Sequence, residues 1–140
     1  MMSSYNKIVV AIDFSEQSIK AFHRAIQVAL ENKATLQLVH VIDTKSFGIG
    51  AYNIKYADKV KAKSLADIEV IKNEAKVAGL ESVDVLVEVG SPIGILTKLP
   101  DVDLIICGAT GYNSIENMMI GSVAERIVRL AKCDVLVVRS

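Results

Sequence analysis

Residues 108–122 read G-A-T-G-Y-N-S-I-E-N-M-M-I-G-S and lie between two apolar runs of different periodicity. The run at residues 103–107 is typical of a buried strand, and the run at residues 123–132 has helical spacing. A glycine-rich loop that leaves a strand and ends at a helix N-terminus brings unpaired backbone N–H groups together on one concave surface. Such a surface favours anions, above all phosphate. The segment therefore predicts a strand–loop–helix unit with an anion site in its loop.

Apolar strands alternate with helical segments along the rest of the chain. Strands separated by helices require parallel pairing through right-handed crossovers. We therefore expect one domain over residues 1–140, an α/β fold with an open, doubly wound, five-stranded parallel sheet and helices on both faces. For the strand order we adopt 3-2-1-4-5 as a hypothesis. The other predicted strands are residues 7–12, 35–42, 83–89 and 134–139, and a short helix is predicted at residues 93–99. Two longer helices are each marked by an apolar stripe. The first stripe is Ile19, Phe22, Ile26 and Ala29, and the second is Ala57, Val60, Ile68, Ile71, Ala75 and Ala78.

The composition fits a sheet that is covered on both faces. The chain has 140 residues, of which 51% are hydrophobic and 5% aromatic, so the core must be built from aliphatic side chains. Lys plus Arg and Asp plus Glu number 16 each, and no basic cluster is present, which argues against nucleic acid as a partner.

The sequence shows no pattern typical of a membrane span or a signal peptide. No apolar run approaches the about 20 residues that a membrane span needs, and the N-terminus does not resemble a signal peptide. Cys107 and Cys133 lie in or beside apolar runs, away from any metal-like spacing, and are typical of a reduced compartment. We expect a cytoplasmic protein that does not bind membranes.

The end of the first strand carries the second candidate feature. Either Asp13 or Ser15 could cap the first long helix, and Asp13 with Glu16 has the spacing of a capping box. In the predicted strand order the first and fourth strands are neighbours at the topological switch point. Asp13 and Gly108 are therefore expected to face one crevice.

These features resemble the universal stress protein family, and in particular its ATP-binding branch. The resemblance covers essentially the whole chain, and its specific part is Gly108-x2-Gly111-x9-Gly121-Ser122 followed by Val123. Residues 8–15 and 135–139 are similar to the first and last strands of the family. The resemblance implies a stress-response regulator or sensor that binds ATP, with Mg²⁺ bound through the phosphates. It also implies a homodimer formed through the last strand, from Val135 to Val138.

The resemblance further implies roles for single positions. Asp13 would contact the ribose or adenine, and Val41 would offer its backbone to the adenine edge. Glycines would allow the backbone to approach ribose and phosphate, and the start of the last helix would wrap the phosphates. Ala11 stands where many ATP-binding members carry proline. The expected nucleotide-binding residues are Ala11, Asp13, Val41, Cys107, Gly108, Gly111, Gly121, Ser122 and Val123.

Structural explanations remain open for several of these residues. Asp13 or Ser122 could serve only as a helix cap, and Gly108 and Gly111 could serve only a tight turn. His40 is interpreted as a packed histidine and not as a catalyst. Residues 108–122 contain no Lys or Arg, so phosphate binding would depend on backbone donors, the helix dipole and a divalent cation. The alternative function is a dimeric protein–protein interaction module that does not bind nucleotide.

A dedicated enzyme is not predicted. The sequence has no Gly-x4-Gly-Lys-Ser/Thr loop, and residues 108–111 lack the spacing of a dinucleotide fingerprint. No nucleophile–base pair stands at the strand ends, so we assign no catalytic residue. Any ATP hydrolysis should be slow, because phosphoryl transfer needs an aimed nucleophile and stabilising cations.

Overall fold

A computed structural model of the chain describes residues 5–43, 54–110 and 120–139, with the backbone alone at residues 54 and 55. The described strands form one parallel sheet in the order β3-β2-β1-β4-β5, which confirms the predicted strand order. The elements are β1 Lys7–Ala11, α1 Glu16–Asn32, β2 Thr35–Asp43, α2 Ile54–Val77, β3 Val83–Gly90, α3 Pro92–Lys98, β4 Leu104–Gly108, α4 Ser122–Leu130 and β5 Asp134–Val138.

The helices cover both faces of the sheet, as predicted. On one face α1 and α2 pack with side chains such as Ile8 and Val10 around a larger core cluster that includes Phe22. On the other face α3 and α4 pack around a smaller cluster that contains Val9 and Ile105. Alternate residues of β1 therefore enter different clusters. Each of these side chains is buried, which explains why the central strands are apolar on both sides.

The start of α1 settles which residue caps it. The side chain of Ser15 accepts a hydrogen bond from Ser18 N, so Ser15 is the N-cap. Asp13 lies two residues earlier, and its Oδ1 accepts from Ser15 N at 2.9 Å. The predicted capping box of Asp13 and Glu16 is therefore wrong, because Glu16 is the first helical residue. Its carboxylate lies 3.7 Å from Lys20 Nζ on the helix surface.

The long helix α2 follows most of its predicted stripe. Ile68, Ile71 and Ala75 are buried against the larger cluster. Ala78 was predicted to share this stripe, but it lies beyond the helix end and is exposed. The turn at Gly79 has φ of +117°, a conformation that favours glycine after a helix. Asp43 is the last residue of β2, and residues 44–53, which follow it, lie outside the described residues.

Candidate functional site

Three of the expected site residues lie on the same face of the sheet at its carboxyl edge. Ala11 ends β1 and pairs in register with Val39 of β2, two residues before Val41. Ala11 and Val41 are partly buried and pack against the smaller core cluster, which also contains Cys107 of β4. The topology therefore brings the carboxyl ends of β1, β2 and β4 together under α3 and α4. This edge, at the point where strand order reverses, is the usual place for a ligand in such sheets.

Asp13 lies just beyond the end of β1 and is exposed. Its backbone N–H donates to Ser18 Oγ at 3.3 Å, and its Oδ1 accepts from Ser15 N. Ser18 Oγ in turn donates to Ser15 O at 3.0 Å. The carboxylate therefore stabilises the turn into α1 and remains accessible to solvent, so a structural role and a ligand-binding role are compatible.

The glycine-rich segment leaves β4 and returns to it. Gly121 N donates to Ala109 O at 2.7 Å, and Ala109 N donates to Val138 O at 2.9 Å. The residues flanking the loop are thus held together at the end of β4. Gly111 and the rest of residues 111–119 lie outside the described residues.

Gly108 lies against the first turn of α1. A Cβ at this position would lie 3.1 Å from the backbone C and O of Gln17 in the first turn of α1. Real Cβ atoms rarely approach backbone so closely, so the absent side chain lets α1 pack against β4. At Gly121 the nearest atom to a Cβ would be Ala109 O at 3.3 Å, and the φ of −64° is open to any residue.

The N-cap of α4 is a residue without a side chain. Gly121 is the N-cap and Ser122 is the first helical residue, so the alternative in which Ser122 serves only as the cap of this helix is wrong. Ser122 and Val123 are exposed at this end. A helix N-terminus carries about half a positive charge and free N–H donors. Glu125 in the first turn is paired with Arg129 at 2.7 Å, which offsets its charge. The arrangement favours an anion here.

The side chain of Cys107 is buried in the smaller core cluster. Burial raises the pKa of Cys107 to about 11, so the group stays protonated. With 4% of its surface exposed, this residue can offer a ligand only its backbone. Among the described residues, no group of three or more His, Cys, Asp or Glu side chains could hold a metal ion.

One feature of the site was not predicted from the sequence. Phe14, between Asp13 and the cap, has φ of +63°, and its ring lies 4.7 Å from the ring of His40 between centroids. His40 Nδ1 lies 2.6 Å from Ile12 O. A half-buried histidine agrees with the interpretation of His40 as a packed residue. The role of Phe14 in this contact could have been predicted only by asking which residue at the strand–helix turn must adopt a left-handed conformation.

Comparison with known proteins identifies relatives over the whole fold. The model of the universal stress protein family matches residues 4–139. A universal stress protein of Staphylococcus saprophyticus is 39% identical to this chain. The alignment is 144 residues long, gaps included, and covers 99% of this chain and 86% of the relative. A second relative, from Staphylococcus epidermidis, is 41% identical, and the alignment covers 99% of this chain and 87% of that relative.

Solved structures share the same fold. Hypothetical protein MJ0577, whose biochemical function was assigned from its structure, superposes with a TM-score of 0.87 and 27% identity over 98% of this chain and 97% of that one. UspA of Lactobacillus plantarum has a TM-score of 0.82 and 25% identity, covering 96% and 98%. A universal stress protein solved in complex with cAMP has a TM-score of 0.73 and 28% identity, covering 96% and 97%. In the ranges that our structure describes, no helix is both long and apolar enough to cross a membrane.

Proposed function

Because the chain belongs to the universal stress protein family, we propose that it is a stress-response regulator or sensor that binds an adenine nucleotide. The observation that carries the proposal is the N-terminus of α4, whose N-cap residue Gly121 has no side chain to cap the helix and which follows a glycine-rich segment at the switch point of the sheet. One structural relative was solved with cAMP, which is also an adenine nucleotide.

The proposed binding mode divides the nucleotide between two parts of the site. Adenine and ribose lie against Ala11, Asp13 and Val41, where the carboxyl ends of β1 and β2 meet. The phosphates lie at Gly121, Ser122 and Val123, where the N–H groups of Ser122 and Val123 would face an anion at the start of α4. Cys107, Gly108 and Gly111 contribute backbone between these two parts.

Magnesium belongs to the proposal only through the phosphates. The described residues provide no carboxylate cluster for it. The segment from 108 to 122 has no basic side chain to neutralise a triphosphate, so a divalent cation is expected to strengthen ATP binding. The Ser122 hydroxyl is the side chain best placed in sequence to reach such an ion. We expect hydrolysis to be slow, and we assign no catalytic residue.

Equilibrium dialysis of nucleotide-stripped protein tests the proposal. ATP, ADP, AMP and cAMP are compared with and without Mg²⁺, and mass spectrometry identifies any small molecule that co-purifies. Gly121→Val should abolish binding with the fold retained, because its side chain would crowd Ala109 O and the phosphate position. Val128→Ala, at an exposed position on the same helix, is the matched control. Absence of binding at millimolar nucleotide would refute the proposal.

The alternative, a protein–protein interaction module, is favoured by one observation. β5 lies at an edge of the sheet, and its residues from Val135 to Val138 are apolar and only half-buried. A homodimer through this strand is compatible with nucleotide binding, and the dialysis experiment separates the two functions. We expect the protein to act in the cytoplasm, where its two free cysteines, Cys107 and Cys133, would stay reduced.

A further inference from the structure

The turn that carries Asp13 has a strained backbone. Phe14 has φ of +63°, in the left-handed region that bulky side chains rarely adopt. Such a conformation persists only where the surrounding structure holds it in place. The contacts of this turn therefore decide where Asp13 lies.

His40 supplies two of these contacts from the neighbouring strand β2. Because the Ile12 carbonyl can only accept, His40 Nδ1 must be the donor in their 2.6 Å hydrogen bond. The His40 ring also packs against the ring of Phe14, with an angle of 55° between the planes. One side chain thus holds the residue before Asp13 and the residue after it.

The backbone of β2 also holds the same turn. Ile12 N donates to Val39 O at 2.8 Å, so both polar groups of Ile12 are bonded to β2. We propose that His40 is a positioning residue, which fixes the turn from Ile12 to Ser15 so that the Asp13 carboxylate is already oriented for its ligand. The part of this inference that concerns the ligand rests on the nucleotide-binding function proposed above.

A purely structural role for His40 makes a different prediction. The helix α1 has anchors that do not involve His40, namely the packing of Phe22 and Ala25 in the larger core cluster and the close approach of Gln17 to Gly108. Loss of His40 should therefore leave α1 and the sheet folded and should disturb only the turn. If His40 served packing alone, its replacement would lower the overall stability of the protein and leave the local hydrogen bonds of the folded state unchanged.

The experiment compares His40→Phe, which keeps a ring and loses the donor, with His40→Ala, which loses both. His23→Gln is the matched control. His23 lies on α1, is exposed, and its Nε2 lies 2.7 Å from the carboxylate of Glu74 on α2, away from the turn. Amide hydrogen exchange followed by NMR reports on Ser15 N–H, which donates to Asp13 Oδ1. We expect Ser15 exchange to become about tenfold faster in His40→Phe, and more in His40→Ala, with nucleotide affinity about tenfold weaker and the control unchanged.

A rescue variant tests the strain directly. Glycine adopts positive φ without steric strain, so Phe14→Gly added to His40→Ala should slow the exchange of Ser15 towards the wild-type rate. Unchanged exchange in His40→Ala, or faster exchange with unchanged nucleotide affinity, would overturn the proposal. If wild-type protein binds no nucleotide, the proposed function fails, and the exchange of Ser15 alone decides whether His40 positions the turn.

Discussion

At the scale of single residues, Gly108 links the proposed nucleotide site to the packing of α1. Gly108→Ala should destabilise the protein by about 1–3 kcal/mol, because the added Cβ would meet the backbone of Gln17, which cannot move without shifting the helix. Urea denaturation measures this change in the free energy of unfolding. A variant as stable as the wild type would show that α1 moves away at no cost.

Gly94→Ala is the matched control for Gly108→Ala. A Cβ at Gly94 would lie 3.6 Å from Ser91 Cβ, an ordinary van der Waals distance, and Gly94 lies within α3. Alanine favours helix by up to about 1 kcal/mol over glycine, so this change should be neutral or stabilising. The opposite signs expected for the two substitutions separate crowding from helix propensity.

The two cysteines should differ in their reaction with thiol reagents. Burial raises the pKa of Cys107 to about 11, so very little thiolate is present in the folded protein. The pKa of Cys133 is also raised, by burial and by the nearby carboxylates of Asp134 and Asp103, but its side chain is only half-buried. At about pH 8, Cys133 should be modified slowly and Cys107 only on unfolding, as followed by mass spectrometry with iodoacetamide. Rapid labelling of Cys107 in folded protein would contradict this assignment.

At the scale of elements, the cap of α1 should matter more than the cap of α3. Ser15 is buried and its hydroxyl accepts from Ser18 N, so Ser15→Ala should cost about 1 kcal/mol of unfolding free energy. Ser91 caps α3 in the same way, with a bond of 3.3 Å from Gly94 N, but it is exposed. Water can replace that bond, and Ser91→Ala should cost less in thermal or urea unfolding. Equal losses for the two variants would count against burial as the cause.

The joint between β1 and β4 should make stability sensitive to acid. Asp103 Oδ2 accepts from Asn6 N at 2.8 Å and Lys7 N at 3.0 Å, and these bonds hold the pKa of Asp103 below its ordinary value of 3.8. Since the folded pKa is the lower one, the stabilisation is complete above 3.8 and is lost as the pH falls through the folded value.

The substitution Asp103→Asn isolates this contribution. It should lower the free energy of unfolding at neutral pH, and its effect should shrink as the solution is acidified below the ordinary pKa of 3.8. Urea unfolding of both proteins across this range provides the measurement. A difference that is independent of pH would show that ionisation of Asp103 does not contribute.

At the scale of the whole molecule, the parallel sheet follows from the sequence because the alternation of strands and helices is a local pattern. Short apolar strands between helices leave few ways to bury both faces of a sheet, and the structure has the predicted order. The details that were missed depend on contacts between distant segments. The sequence around Gly108 does not predict that Gln17 packs against this glycine. The residue type of Phe14 likewise does not predict its left-handed backbone. The choice of Ser15 over Asp13 as cap likewise depends on backbone angles that residue types alone do not fix.

The two edges of the sheet suggest how the molecule associates. On β3, the charged side chains of Asp84 and Glu88 are exposed, which discourages pairing with another strand. On β5, the residues from Val135 to Val138 are apolar and half-buried, and in the described part of the chain β5 pairs with β4 alone. Pairing with a second copy would cover this edge.

We therefore expect light scattering at micromolar concentration to give twice the 15.2 kDa mass of one chain. Val137→Lys should shift the mass towards that of the monomer, because a charged side chain on an edge strand opposes pairing. Val89→Lys, on the opposite edge, is the matched control and should leave the mass unchanged. A wild-type protein with monomer mass would contradict the dimer. A dimer that Val137→Lys leaves intact, with Val89→Lys dissociating it, would move the interface to β3.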